Sequence, residues 1–257
     1  MVGQGVHFLE AAGPAGMRIY AIGDVHGRLD LLEEMHARIE AELANEPPRD
    51  WRVIHLGDYV DRGPDSKGVL DRLIEATSRD QRMIALAGNH EAGFLDFLAY
   101  PTPDGLFANN GGENTALSYG VSLGFYDPGE LARGHALLKR AVPESHISFL
   151  RNLGTSVAFG DFFFCHAGVR PGVTLERQDP RDLLWIRGEF LNHPGLYSKV
   201  IVHGHTPHAE PEVLANRVNV DTFACRSGIL TALVIEGADK RLLSVSDKDQ
   251  WLSATTP

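Results

Sequence analysis

The feature that most constrains this chain is a recurring pair: a short apolar run, then a cluster of Gly with Asp, Asn or His. It occurs five times. Residues 18–22, 51–56, 82–87, 161–165 and 199–202 have the length and apolar content of buried strands. The clusters that follow them are Gly23 Asp24 Val25 His26 Gly27; Gly57 Asp58 Tyr59 Val60 Asp61 Arg62 Gly63; Gly88 Asn89 His90 Glu91; His166 Ala167 Gly168; and His203 Gly204 His205 Thr206 Pro207. Between the first two runs, Leu31, Leu32, Met35, Ile39 and Leu43 keep one helical face apolar, and Val69, Leu70, Leu73 and Ile74 repeat the pattern after the second. Strands alternating with helices predict an α/β fold whose sheet, parallel or mixed, is covered on both faces. In such a sheet ligands bind beyond the carboxyl ends of the strands, so all five clusters can converge in one crevice.

The rest of the chain is organised around that core. At 257 residues one domain suffices, expected over 17–257, behind an N-terminal extension of residues 1–16 that is rich in Gly and lacks any period. Residues 94–151 read as a helical insertion beside the carboxyl ends of the strands, where a substrate rim would sit, with Asn109, Asn110, Gly111 and Gly112 as a plain turn first and as part of that rim in the alternative. Residues 213–243 alternate as strands do and are expected to form a second sheet packed on the first. Cys165 and Cys225 lie in apolar or near-apolar stretches and read as free thiols of a reducing compartment. No apolar run approaches the roughly 20 residues that span a bilayer, so a cytoplasmic location without membrane contact is expected. The formal charge of −10 argues against nucleic acid as a partner, which needs a continuous basic face. Bound divalent cations would invert the sign of that charge locally, at any site where they were held.

Asp24 and His26 stand two apart at the end of an extended segment, so their side chains leave on the same side. Asp24 alone is equally well read as a helix N-cap. Together, Asp24, His26, Asp58, Asn89, His166 and His205 offer carboxylate, amide and imidazole donors without a thiolate, a set that favours two divalent ions, with Mn²⁺ first and Fe or Zn²⁺ as alternatives. Six donors exceed what one catalytic ion with open positions requires, and one carboxylate, for which Asp58 is the candidate, can bridge two ions.

These five ordered motifs resemble those of the calcineurin-like metallophosphoesterases, in particular the phosphoprotein phosphatase branch with its bacterial and phage serine/threonine phosphatases, over residues 18–231. The resemblance implies a β-sandwich flanked by helices with a dinuclear centre at its edge. It assigns Asp24, His26 and Asp58 to one ion and Asp58, Asn89, His166 and His205 to the other, with a hydroxide between the ions as nucleophile. It makes His90 the general acid, with a carboxylate partner, Asp61, that orients it and keeps it protonated. Arg62 and Arg187, the latter in Leu184 Trp185 Ile186 Arg187, would grip phosphate oxygens. Pro207 stands where many relatives carry a further His, as in the phosphatase branch, and the family places no ligand at His203. Glu91 is expected to support the site by hydrogen bonding rather than ligation.

The substrate expected from this branch is a phosphoserine or phosphothreonine protein or peptide, since Asp61 and Glu91 fit the protein phosphatases. Symmetrical dinucleoside tetraphosphate hydrolases and phosphotyrosine-preferring phosphatases are the alternatives. A catalytically inert phospho-binding scaffold would require damage to the motifs, and they are intact. The residues leave the oligomeric state open.

Overall fold

A computed structural model describes residues 5–247. Two five-stranded sheets lie face to face. The first contains β1 (Met17–Ile22), β2 (Asp50–His55), β3 (Met83–Ala85), β9 (Ile229–Glu236) and β10 (Asp239–Ser246) in the order β10-β9-β1-β2-β3. The second contains β4 (Ser156–Phe159), β5 (Phe162–Cys165), β6 (Val200–His203), β7 (Glu212–Val213) and β8 (Arg217–Asn219) in the order β4-β5-β6-β8-β7. β1, β2 and β3 run parallel, as do β5, β6 and β8, so each sheet presents its central carboxyl ends at one edge.

The alternation of side chains explains the layering. In β1, Ile19 and Ala21 face the second sheet, where they meet Phe162, Phe164, Val200 and Val202; Tyr20 and Ile22 face the opposite way. There they pack under α1 (Leu29–Asn45) and α2 (Ser66–Arg79), whose Leu31, Leu32, Met35, Val69, Leu70 and Leu73 form the buried stripe that their spacing predicts. The outer face of the second sheet carries Phe163, Cys165 and Ile201 beneath α8 (Pro180–Trp185). Between β3 and β4 the chain is helical: α3 (Asn89–Ala99), α4 (Leu106–Asn109), α5 (Gly112–Ser118), α6 (Pro128–Ala141) and α7 (Glu144–Arg151). The mixed α/β class and the β-sandwich flanked by helices are as expected.

Two expectations need correction. The last two strands do not form part of a second sheet: β9 pairs antiparallel with β1 and carries β10 outward, while β7 and β8 join the second sheet. Leu233 and Ile235 point into the same intersheet core as Ile19, and apolar alternation serves either placement equally well. The N-terminal stretch, from residue 5 onward, is a docked strap. Val6 and Phe8 donate backbone hydrogen bonds to Tyr197 and Ala215, both at 2.8 Å, Ala11 is fully buried, and Lys240 caps the carbonyls of Phe8 and Ala11. β3 is half the expected length, and Leu86 beyond it keeps a hydrogen bond to His55 at 2.9 Å while bridging Gly154 on its other side. Both cysteines are free as expected; Cys165 is buried and Cys225 half-buried.

Under α1, His36 and His55 bury an imidazole pair with Nε2–Nε2 at 2.8 Å. His55 Nδ1 donates to the Ile84 carbonyl, so its Nε2 accepts from His36. Burial pushes both pKa values down, from 6.5 to about 2 for His36 and about 4 for His55. As pH falls from 6.5 towards 4, the unfolded chain takes up protons that the folded pair refuses, and stability drops by on the order of 2–3 kcal/mol for each histidine. Urea midpoints at pH 7.5 and 5 in the presence of chelator should therefore shift less for a His36→Leu, His55→Leu double variant than for wild type; equal shifts would remove the pair as the cause.

Candidate metal centre and active site

The loops leaving β1, β2, β3, β5 and β6 meet at the carboxyl edge of the sandwich, and the six expected donors are all buried there. Asp58 lies at the middle. Its Oδ2 is 3.5 Å from His26 Nε2 and 3.8 Å from His90 Nε2, and its Oδ1 is 3.3 Å from His166 Nε2. One ligand atom from each of His26, Asp58 and His90 falls within 4.8 Å of the others, and the same is true of Asp58, His166 and His205. Asn89 Oδ1 sits 2.9 Å from His166 Nε2 and 2.8 Å from His205 Nδ1. Asp24 lies beside them: its carboxylate accepts from the backbone N–H of His205, at 3.1 and 3.2 Å, and is in neither group.

These donors fit divalent cations. His26 Nδ1 donates to the Val60 carbonyl at 2.8 Å, and His166 Nδ1 donates to that of Leu56 at 3.0 Å. Such bonds fix the tautomer that points the Nε2 lone pair inward, as outer-shell carbonyls do for metal-bound histidines. His26 Nε2 is then a buried acceptor without a hydrogen-bond partner, which costs free energy unless a cation supplies one. His205 turns Nδ1 inward, while its Nε2 accepts from Arg187 Nε at 3.0 Å; ligation through Nδ1 requires the other tautomer and so releases Arg187.

Burial also sets the electrostatics. It pushes the Asp24 carboxyl well up, helped by the neighbouring Asp221 and Asp58 carboxylates, and raises Asp58 likewise. Burial lowers His166 to about 3 and His205 to about 2, the latter with help from His166, and holds His26 well below 6.5. Positive charge brought into the cluster favours both the ionised carboxylates and the neutral imidazoles.

Backbone strain is concentrated here. Among the described residues six non-glycines have positive φ, and five of them are His26, Asp58, Asp61, Arg62 and His205. Left-handed backbone at such residues costs on the order of 1–3 kcal/mol each and persists where the surroundings over-determine it. Glu91 supplies part of that constraint. Its Oε2 accepts from the N–H groups of Asp58 (2.9 Å) and Gly88 (2.8 Å), and its Oε1 accepts from Tyr59 (2.7 Å), which ties the β2 loop to the start of α3. Gly57 is required beside it: at φ 109°, an added Cβ would lie 2.7 Å from Gly88 N and 2.9 Å from His166 Nδ1.

The structure also brings together His90, Asp61, Arg62 and Arg187. His90 Nδ1 is 2.7 Å from Asp61 Oδ2, and His90 Nε2 is 3.1 Å from Arg62 Nη2. The expectation that a carboxylate keeps His90 protonated is not met by these side chains alone. Burial lowers its pKa, and the opposing pull comes from Asp58, while Arg62 and Arg187 add to the lowering. A cleft of about 220 Å³ opens over Asp58, Asn89, His90, Arg62 and Arg187. Asn110, expected in a plain turn, lines this cleft together with the exposed Trp185. His203 faces Arg217 at 3.3 Å and is in neither candidate ligand group.

Sequence reasoning missed Asp221, Asn114 and Thr115. Asp221 follows β8 just as Asp58 follows β2, so the rule of strand end then acid was sufficient to find it; it is buried near Asp24, and burial lifts its pKa to about 6. Asn114 and Thr115 carry no such signal, being helical residues of α5 more than 50 positions from the loop they hold.

The calcineurin-like phosphoesterase family model matches residues 17–234. Serine/threonine-protein phosphatase 1 of Salmonella typhimurium is 30% identical over 224 residues, covering 85% of this chain and 92% of that protein. An asymmetrical bis(5'-nucleosyl)-tetraphosphatase PrpE of Oceanobacillus iheyensis is 26% identical over 257 residues, covering 92% and 95%. A crystal structure proposed to be a diadenosine tetraphosphatase shares the fold with a TM-score of 0.61 at 18% identity, covering 91% and 96%. The match to the family model across most of the chain and the 30% identity to a named phosphatase show that this chain is a phosphoester-hydrolysing enzyme, and that it belongs to the calcineurin-like phosphoesterase family.

Proposed function

We propose that the chain hydrolyses phosphomonoesters of alkyl alcohols, with phosphoserine or phosphothreonine in a protein or peptide as substrate. The observation that carries the reading is the buried His90–Asp61 contact of 2.7 Å at the floor of the cleft. A serine alkoxide is a poor leaving group that needs a proton as the P–O bond breaks, whereas a nucleotide leaves a phosphoanhydride as a stable anion. A positioned acid is therefore worth most for an alkyl ester.

Asp24, His26, Asp58, Asn89, His166 and His205 are the residues we assign to two divalent ions, of which Mn²⁺ suits the donor set and Fe or Zn²⁺ are alternatives. When bound, such ions lower the pKa of water, supply the nucleophile and neutralise phosphate charge. Arg62 and Arg187 both line the cleft, where they would grip phosphate oxygens. Asp61 fixes the ring of His90 through Nδ1; with Arg62 turned from Nε2 to the phosphate and the ring protonated there, His90 would hand the Nε2 proton to the departing oxygen. Glu91 holds the backbone of Asp58 and takes no part in ligation. We read residues 17–257 as one catalytic domain with a helical insertion at 94–151.

A second reading is favoured by the likeness to the PrpE proteins: asymmetrical hydrolysis of a dinucleoside tetraphosphate, rather than the symmetrical cleavage considered from the motifs. The test is kcat/KM, with Mn²⁺ and with chelator, on phosphoserine, phosphothreonine and phosphotyrosine peptides and on diadenosine tetraphosphate. We expect turnover only with metal, and a higher kcat/KM on a phosphoserine or phosphothreonine peptide than on either other substrate. A preference for diadenosine tetraphosphate yielding ATP and AMP would establish the second reading, and metal-independent background turnover would dismiss both.

A further inference from the structure

The mechanism leaves a buried hydroxyl of the insertion unused. Thr115, on α5, is fully buried, and its Oγ1 lies 2.8 Å from Asp61 Oδ1, 2.8 Å from Asp61 N and 3.0 Å from Ser66 Oγ. The donors and acceptors can be counted. The Asp61 N–H donates to Thr115 Oγ1, and the Asp61 carboxylate is the acceptor for the Thr115 proton, so Ser66 donates to the remaining Thr115 lone pair. Asp61 thus spends one carboxylate oxygen on Thr115 and the other on His90 Nδ1, 2.7 Å away. The Asp61 N–H is shared with Ser66 Oγ, at 3.1 Å, so both hydroxyls also hold the backbone of Asp61.

The neighbouring residues of the insertion act on the neighbouring residue of the loop. Gly111 accepts from the N–H of Arg62 at 3.2 Å, and the Asn114 side-chain amide donates to the Arg62 carbonyl. Asp61 and Arg62 have φ of 70° and 67°, a left-handed pair that neither residue type adopts without constraint. The start of α5 therefore grips the backbone of both and the carboxylate of the first.

From this geometry we infer that Thr115 is a positioning residue for proton delivery: its hydroxyl orients the Asp61 carboxylate, which orients the His90 ring towards the leaving oxygen. The inference rests on the proposed role of His90 as acid and adds the insertion to it. Thr115 is fully buried and belongs neither to the lining of the cleft nor to a candidate ligand group, so its loss should weaken proton donation without weakening ion binding.

The experiment uses the full chain loaded with Mn²⁺ and two substrates, phenyl phosphate and p-nitrophenyl phosphate. Phenolate needs protonation far more than the stabilised p-nitrophenolate does. Thr115→Val, which keeps the shape and deletes the hydroxyl, should lower kcat on phenyl phosphate by ~10–100-fold, the range for disrupting a supporting hydrogen bond in an active site. KM, metal content and kcat on p-nitrophenyl phosphate should stay near wild type, and Thr115→Ser should restore the lost turnover. Thr115→Cys, close in size but a weak donor, gives the same split if the Val variant does not fold. Equal losses on both substrates, or none, in the variants that fold would overturn the inference and leave Thr115 a packing residue. If His90→Asn itself shows no dependence on the leaving group, the reading of His90 fails first and the role of Thr115 fails with it.

Discussion

Asp58→Asn should lose both ions and nearly all turnover. Asp58 is common to the two groups of candidate ligand atoms, one carboxylate oxygen facing His26 and His90 and the other facing His166. Asparagine matches its shape but replaces one oxygen with an amide NH₂, which cannot ligate, and removes the negative charge that offsets two dications. Its remaining oxygen can still accept from the His90 N–H, as Asp58 Oδ1 does at 3.1 Å, so the loop has a reason to keep its form. We expect elemental analysis after gel filtration to fall from about two ions per chain towards none, and kcat on p-nitrophenyl phosphate to drop by ~10³-fold or more. Full occupancy in the variant would refute the bridging assignment whatever happens to the rate.

His90→Asn should instead separate ion binding from chemistry. The imidazole lies against Asp61 through Nδ1 and presents Nε2 to the cleft, but the structure also puts Nε2 3.8 Å from Asp58, within one of the candidate ligand groups. The two roles predict different results. As an acid, its loss costs ~10²–10⁴-fold in kcat on esters with poor leaving groups, costs much less on p-nitrophenyl phosphate, and leaves metal content unchanged. As a ligand, its loss depletes an ion and lowers both activities together. We expect the first pattern; the second would move His90 from the acid to the coordination sphere.

The strand ends were legible because chemistry and folding used the same residues. Gly-Asp and Gly-Asn turns stop an apolar run and supply a donor at once, so the positions of Asp24, Asp58 and Asn89 follow from local pattern. The partition into two sheets was less accessible. Ile229–Glu236 carries an apolar alternation that suits either sheet, and it joins β1 only because Leu233 and Ile235 complete the intersheet core. The grip of Asn114 and Thr115 on Arg62 and Asp61 has no local signature, since it depends on how α5 docks against α2. The direction of the His90 pKa was misjudged for a related reason: a nearby acid is visible in sequence, but the degree of desolvation is a property of the packed site.

The origin of the donors has a mechanical meaning. Asp24, His26, Asp58 and Asn89 hang from the first sheet, and His166 and His205 hang from the second. Cations held by both sets would be rivets driven across the seam of the sandwich. Since only the folded chain can assemble such a mount, ambient metal would tighten the whole protein by mass action, and starvation for metal would loosen the architecture along with the chemistry.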